Sequence, residues 1–313
     1  MSAESLFQQL QNENVEIDFN DLAPRHKWEV IGQGGYGIVY KTSLLNTVVA
    51  VKVSLANIIN SGNSTLIVQE ITMLKQVRHP KIVEFLGISI DPNNICIVTE
   101  YLGRGSLLNV LHYSTKKLTW FNYLLQYAID ICEGMAYMHG QMPPLLHRDL
   151  KSANILISGD GKTAKIADLG FARIYAEVMS ARGTERWCAP EILSGNANYS
   201  ENVDVYSFGI LLWEMCTRAI PYQNQNGAEL KKKIVNDNLR PEFPDTMPEV
   251  LRDIYELCVS AMPPDRPSFL QLLTRLRGNV AEIVRSDDPY PVLHPEFCIC
   301  NGYQGSLSNL CNQ

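Results

Sequence analysis

The chain has 313 residues, 46% of them hydrophobic, enough for one large domain or two lobes around a cleft and too long for a miniprotein stapled by disulfides. Its 33 acidic and 27 basic residues leave a net charge of −6, which argues against the basic face of a nucleic-acid binder, and the run Lys231-Lys232-Lys233 reads as a solvated helix face. The opening MSAESLFQQL lacks a basic flank and an apolar signal core, and no apolar run approaches the roughly 18 residues that span a bilayer, so the expectation is a soluble cytoplasmic protein with reduced thiols at its 8 scattered cysteines and no membrane insertion.

In chain order, residues 1–26 are rich in Gln, Asn and Glu and read as a polar leader, with ordered structure expected from residue 27. From Glu29 to Tyr101 the pattern is strand-like, interrupted by a helix over about 65–77. IGQGGYGIVY sets Gly32, Gly34 and Gly37 in a strand-turn-strand whose missing Cβ atoms would let backbone N–H groups approach phosphate oxygens; a ligand-free glycine hairpin is the plainer alternative. Val39 points with Gly37 and would cap a purine. In VVAVKV the period of two puts Ala50 and Lys52 on a cleft face and Val49, Val51 and Val53 on the other, although Lys52 taken alone would more often be an edge-strand gatekeeper than a phosphate ligand. The helix carries an apolar stripe, Ile67, Ile71, Leu74 and Val77, with Glu70 inside it. A carboxylate on an apolar face needs a cation, and Lys52 is the candidate.

GRGS at 103–106 reads as a hinge, after which helical signals dominate: Leu124, Leu125, Ala128, Ile129, Cys132, Met135, Ala136 and His139 recur at helical spacing and Gly140 ends the run. HRDLKSAN at 147–154, DLG at 168–170 and APE at 189–191 then follow in an order and spacing that read as a protein kinase. Phosphoryl transfer is mostly positioning and charge neutralisation. Asp149 is the expected base, Lys151 the partner of the γ-phosphate, and Asn154 with Asp168 the holders of Mg²⁺, with Mn²⁺ as an alternative. Beyond 285 the chain is proline-broken; His294, Cys298, Cys300 and Cys311 do not match a structural-zinc spacing, and 286–313 reads as a tail dispensable for catalysis.

Over about residues 28–284 these motifs resemble the eukaryotic protein kinases, and HRDLKSAN, GTERWCAPE and DVYSFGILLWE are similar to the tyrosine-kinase-like group that includes Raf-like and mixed-lineage kinases. The resemblance implies an α+β bilobal fold: a small β-rich lobe with one helix over 27–102 and a larger, mainly α lobe over 103–285. It implies ATP as the nucleotide and protein hydroxyls as acceptors, with the oligomeric state left open. Ile31 joins the glycine hairpin over the purine, Thr99 is the gatekeeper, Glu100 and Leu102 offer hinge backbone to adenine, and Leu156 closes the purine from below. Asp204 would bind the catalytic-loop backbone, and Glu191 with Arg266 would form a buried ion pair. Lys151 and Gly183-Thr184 are similar to the Ser/Thr pattern; tyrosine or dual specificity, and a pseudokinase scaffold, are the alternatives. Leu169 replaces the usual phenylalanine and should stack between His147 and Leu74. Arg148 is expected to seek an activation-loop phosphate, at Ser180 first and Tyr175 second.

Overall fold

The computed structural model describes residues 16–34, 37–53, 71, 74–91, 94–114, 118–169, 184–196, 199–223, 225 and 227–285. Glu70, Tyr175, Ser180 and the whole of 286–313, all singled out from the sequence, lie outside the described residues. Strands β1 (Glu29–Gly34), β2 (Gly37–Leu44), β3 (Thr47–Val53), β4 (Phe85–Asp91) and β5 (Asn94–Glu100) form an antiparallel sheet in the order β1-β2-β3-β5-β4. The valine alternation appears as expected: Val49, Val51 and Val53 are buried with Cys96 and Val98, while Ala50 and Lys52 take the opposite face.

The stretch read as a polar leader contributes to this lobe. Leu22 is only 4% exposed and packs with Trp28 on the valine face. Ile17 N–H donates to Ile88 O at 2.7 Å, and the Trp28 indole donates to Ala23 O at 2.6 Å. The Arg25 guanidinium lies 4.1 Å from the Trp28 ring centre and 4.8 Å from that of Tyr40. The physical reason is simple. One face of the sheet turns to the cleft, so the other needs an apolar cover, and Leu22 and Trp28 supply it with Ile17 and Phe19 packed against the same cluster. Residues 71 and 74–76 are helical, with Ile71 and Val77 buried and Leu74 packed on the same core as the large lobe.

The hinge glycines serve different ends. Gly105 has φ +69, which favours glycine, whereas a Cβ on Gly103 would sit 3.1 Å from Gly159 Cα, so there the need is close backbone approach. Ser106 caps helix α1 (Leu107–His112) by accepting from Asn109 N–H. A π-helical turn at Trp120–Leu124 leads into α2 (Leu125–His139), which stops at Gly140 as the periodicity predicts. A short antiparallel pair, β6 (Ile155–Ile157) and β7 (Ala164–Ile166), follows within the otherwise helical lobe. The remaining helices are α3 (Pro190–Leu193), α4 (Asn202–Thr217), α5 (Gly227–Asn236), α6 (Glu249–Cys258), α7 (Phe269–Gly278) and α8 (Val280–Arg285). On α5 Lys231 and Lys232 are exposed and Lys233 pairs with Glu229 at 2.7 Å, a solvated face as expected.

Helix α4 is apolar almost all round, and a helix of that kind must be surrounded. It packs so closely on α6 that a Cβ at Gly209 would lie 2.6 Å from Cys258 Cβ and 2.9 Å from Val259 Cγ1. Gly209→Ala is therefore expected to destabilise the large lobe by about 1–3 kcal/mol through overpacking. A urea midpoint unchanged from wild type would contradict this packing. All five cysteines among the described residues are free and buried, and no described helix is long and apolar enough to cross a membrane.

Candidate active site

Three pieces of backbone bring the site together. The first is the cleft face of the small-lobe sheet, where register sets Val39 opposite Lys52 and Ala50 opposite Thr99. Residues directly opposite one another share a face, so these four side chains stand in two adjoining rows. Gly34 and Gly37 pair at the hairpin end, and Ile31 on β1 is largely exposed. At Gly32 an added Cβ would make only ordinary contacts with Val39, at 3.8 and 4.0 Å, and its φ is not left-handed. Neither packing nor backbone conformation calls for glycine there.

The second piece is the hinge. Leu102 is buried and Thr99 and Leu156 are partly so. Glu100 N–H donates to Glu84 O at 3.0 Å, and Leu102 O accepts from Gly105 N–H at 3.2 Å. The Glu100 carboxylate accepts from Glu84 N–H at 2.8 Å and from Lys165 Nζ at 2.5 Å. It borders a depression of about 460 Å³ that is also lined by Lys81 and Asp160 and by none of the glycine-hairpin residues. The side chain of Glu100 thus has a structural tie of its own, which the sequence reading did not anticipate.

The third piece is the loop 147–154 with Asp168. Lys151 Nζ donates to both Asp149 carboxylate oxygens, at 2.9 and 2.8 Å, and Asn154 Nδ2 donates to Asp149 O and Oδ2, each at 2.8 Å. His147 is buried and its Nδ1 accepts from Asp149 N–H at 3.2 Å, so the ring carries its proton on Nε2 and donates to Ala167 O at 3.0 Å. Leu169 is buried in the cluster on which Leu74 also packs. Lys52, whose side chain is 16% exposed, reaches Asp168 Oδ1 at 2.5 Å across the cleft. Glu70, its expected partner, lies outside the described residues. Neighbouring atoms take part of the water from Asp168, which opposes its charge, although 44% of the side chain stays exposed. Even so, the Lys52 ammonium and its hydrogen bond, with Lys151 further off, hold the carboxyl below the usual range.

Two residues at the site have left-handed backbones without being glycine: Arg148 at φ +64 and Asp168 at φ +60. Such conformations cost about 1–3 kcal/mol each and need support. For Arg148 the support is Asp204, buried at the start of α4. Its oxygens accept from Arg148 N–H at 2.6 Å, His147 N–H at 2.8 Å and His139 Nε2 at 2.9 Å. The Arg148 guanidinium lies 5.2 Å from the Tyr199 ring centre. Burial disfavours the Asp204 carboxylate, but the hydrogen bond from His139, helped by that from Arg148 N–H, outweighs it and lowers the pKa. A depressed carboxyl pKa adds stability that is present above the unfolded value of about 3.9 and is lost as pH falls through the lower folded value. Between about pH 5 and 2, Asp204→Asn is therefore expected to lose less stability than wild type, from a lower starting point. Parallel acid-denaturation curves would remove Asp204 from this role.

The Glu191–Arg266 pair also forms, with bidentate contacts at 2.6 and 3.0 Å. Comparison with known proteins follows the same lines. The chain is 39% identical over 250 residues to the probable serine/threonine-protein kinase drkA of Dictyostelium discoideum, covering 79% of this chain and 38% of the relative. It is 36% identical over 281 residues to the serine/threonine-protein kinase CTR1 of Arabidopsis thaliana, covering 88% and 34%. With the serine/threonine-protein kinase STY46 of Arabidopsis thaliana it shares 35% identity over 271 residues, covering 86% and 46%. The chain thus spans less than half the length of each of these relatives. Residues 26–276 match the family described as protein tyrosine and serine/threonine kinase, and the chain belongs to that family.

Proposed function

We propose that the chain is an ATP-dependent protein kinase that transfers the γ-phosphate to serine and threonine hydroxyls of protein substrates. The observation that carries this reading is the convergence of Asp149, Lys151 and Asn154 on one loop, within electrostatic reach of the Lys52–Asp168 pair. In the proposed reaction Asp149 accepts the proton of the acceptor hydroxyl as the hydroxyl oxygen attacks the γ-phosphorus and the bond from that phosphorus to the β-phosphate oxygen breaks, releasing ADP. Lys151 holds positive charge beside that base, where the transferring group gathers negative charge. Lys52 anchors the α and β phosphates, with Glu70 as its expected second partner.

Asn154 spends its Nδ2 on Asp149, so its Oδ1 and the Asp168 carboxylate are the oxygen donors for a divalent cation, Mg²⁺ by hardness with Mn²⁺ as the alternative. Bound there, the ion would neutralise the negative charge of the phosphates. The glycine at 32, unexplained by the protein's own packing, suits close approach of a nucleotide, as do Gly34 and Gly37. The hinge groups of Glu100 and Leu102 offered to adenine are the Glu100 carbonyl, which also accepts from Thr99 Oγ1 at 3.3 Å, and the Leu102 N–H, while Ile31, Val39, Ala50, Thr99 and Leu156 form the walls. Serine/threonine preference is supported by the relatives' names and by Lys151. The free, buried thiols suit a reducing, cytoplasmic setting.

Mg²⁺-ATP at a hundred times its dissociation constant should stabilise wild type by about 2.7 kcal/mol in thermal denaturation. Lys52→Met should lose most of that gain. Radiolabelled transfer to a generic basic protein, followed by phosphoamino-acid analysis, should return phosphoserine and phosphothreonine. Nucleotide binding without transfer would favour a pseudokinase, and dominant phosphotyrosine would overturn the specificity.

A further inference from the structure

Glu214 lies on α4 with a side chain wholly removed from solvent, inside a helix that is otherwise nearly all apolar. A carboxylate in such a place needs donors, and the fold brings them from three separate segments. Oε1 accepts from Ser152 Oγ at 2.6 Å and meets His112 Nε2 at 3.0 Å; Oε2 accepts from the Trp187 indole N–H at 3.0 Å. Ser152 sits in the loop between Lys151 and Asn154, His112 ends α1, and Trp187 belongs to the segment that leads into α3. Ser152, Trp187 and the His112 side chain are themselves buried.

The division of labour between the two oxygens is the informative point. One holds the loop that carries Asp149, and the other holds the segment 184–188. The segment and the base-bearing loop are thereby tied to the same buried side chain. A carboxylate is planar and rigid, so a shift of either segment moves an oxygen that the other depends on. Leucine or methionine at 214 would fill the interior of α4 without tying anything together.

We infer that Glu214 is a positioning residue for phosphoryl transfer, fixing the base-bearing loop in register with the segment 184–188 so that an acceptor hydroxyl meets Asp149. This rests on the kinase reading above. Ser152→Ala frees the loop from the carboxylate, and Trp187→Phe frees the segment while keeping an aromatic ring. With the full chain, saturating Mg²⁺-ATP and a generic basic acceptor protein, Ser152→Ala should lower kcat about five- to tenfold with the KM for ATP unchanged. Trp187→Phe should mainly raise the acceptor KM, about three- to tenfold. The double variant should fall short of the product of the two effects by about threefold or more, because both act through one carboxylate. Glu214→Gln, if it folds, should show both defects; if it does not, the other variants still decide.

A scaffold role alone would lower the melting temperature and leave the acceptor KM unmoved, and that result, or strictly multiplicative effects, would overturn the inference. A second readout needs no activity. In protein carrying 5-fluorotryptophan, the Trp187 resonance, identified by its loss in Trp187→Phe, should shift in Ser152→Ala, and an unmoved resonance would overturn the coupling. Wild type inactive on every acceptor would instead overturn the kinase reading, and the fluorine resonance would still decide whether the coupling exists.

Discussion

Asp149→Asn is expected to abolish most turnover while leaving nucleotide binding nearly intact. The substitution keeps the shape of the side chain but removes the acidic oxygen on which Lys151 and Asn154 converge, and it places an N–H₂ where both already donate. Loss of a general base costs about 10²- to 10⁴-fold in rate. Because Asp149 is not among the residues proposed to touch the nucleotide, the thermal stabilisation by Mg²⁺-ATP should persist. Single-turnover transfer in the variant within a few fold of wild type would remove Asp149 from the role of base.

The second large effect is on stability. Arg266 has a side chain that is 0% exposed, against 12% for Glu191, and it also donates to Ser260 O at 3.0 Å and Asn202 O at 3.1 Å. Glu191→Ala strands that guanidinium without a counter-charge, and breaking a buried pair from one side costs about 3–5 kcal/mol. Urea denaturation should register the loss as a lower midpoint with an unchanged slope. Adding Arg266→Met should recover part of it. Recovery should be incomplete, because the carbonyls of Ser260 and Asn202 then lose their donor. A Glu191→Ala variant as stable as wild type would contradict the pair's structural role.

Much of this was legible in the sequence because it depends on local periodicity or on spacing within one loop. The alternation through Val49–Val53 was enough to put Lys52 on the cleft face, and the 3.6-residue recurrence up to His139 was enough to end α2 at Gly140. Pairings between distant segments are legible only where the family resemblance supplies them, as for Glu191 with Arg266 and Asp204 with the catalytic loop. The donors to Glu214 come from positions 112, 152 and 187, which no local pattern connects. The left-handed backbones at Arg148 and Asp168 carry no signature either, since neither residue is glycine. The cover is not legible because Ile17, Phe19, Leu22 and Trp28 are too unevenly spaced to make a period. The tie between the Glu100 side chain and Lys165 was hidden by attention to the backbone of Glu100.

The cover that Leu22 and Trp28 place on the small-lobe sheet bears on how the protein should be handled at the bench. A fragment trimmed to begin at residue 27, where family boundaries invite a cut, would keep every residue of the cleft. It would also lose Leu22 and the carbonyl that anchors the Trp28 indole, and so lay Val49, Val51 and Val98 open to solvent. An uncovered apolar strand face of this kind promotes self-association, so poor yield from such a fragment would reflect aggregation of the small lobe and not a defect in the cleft. Beginning the fragment before Glu16 avoids the problem, because the bridge from Glu16 to Ile88 then stays in place.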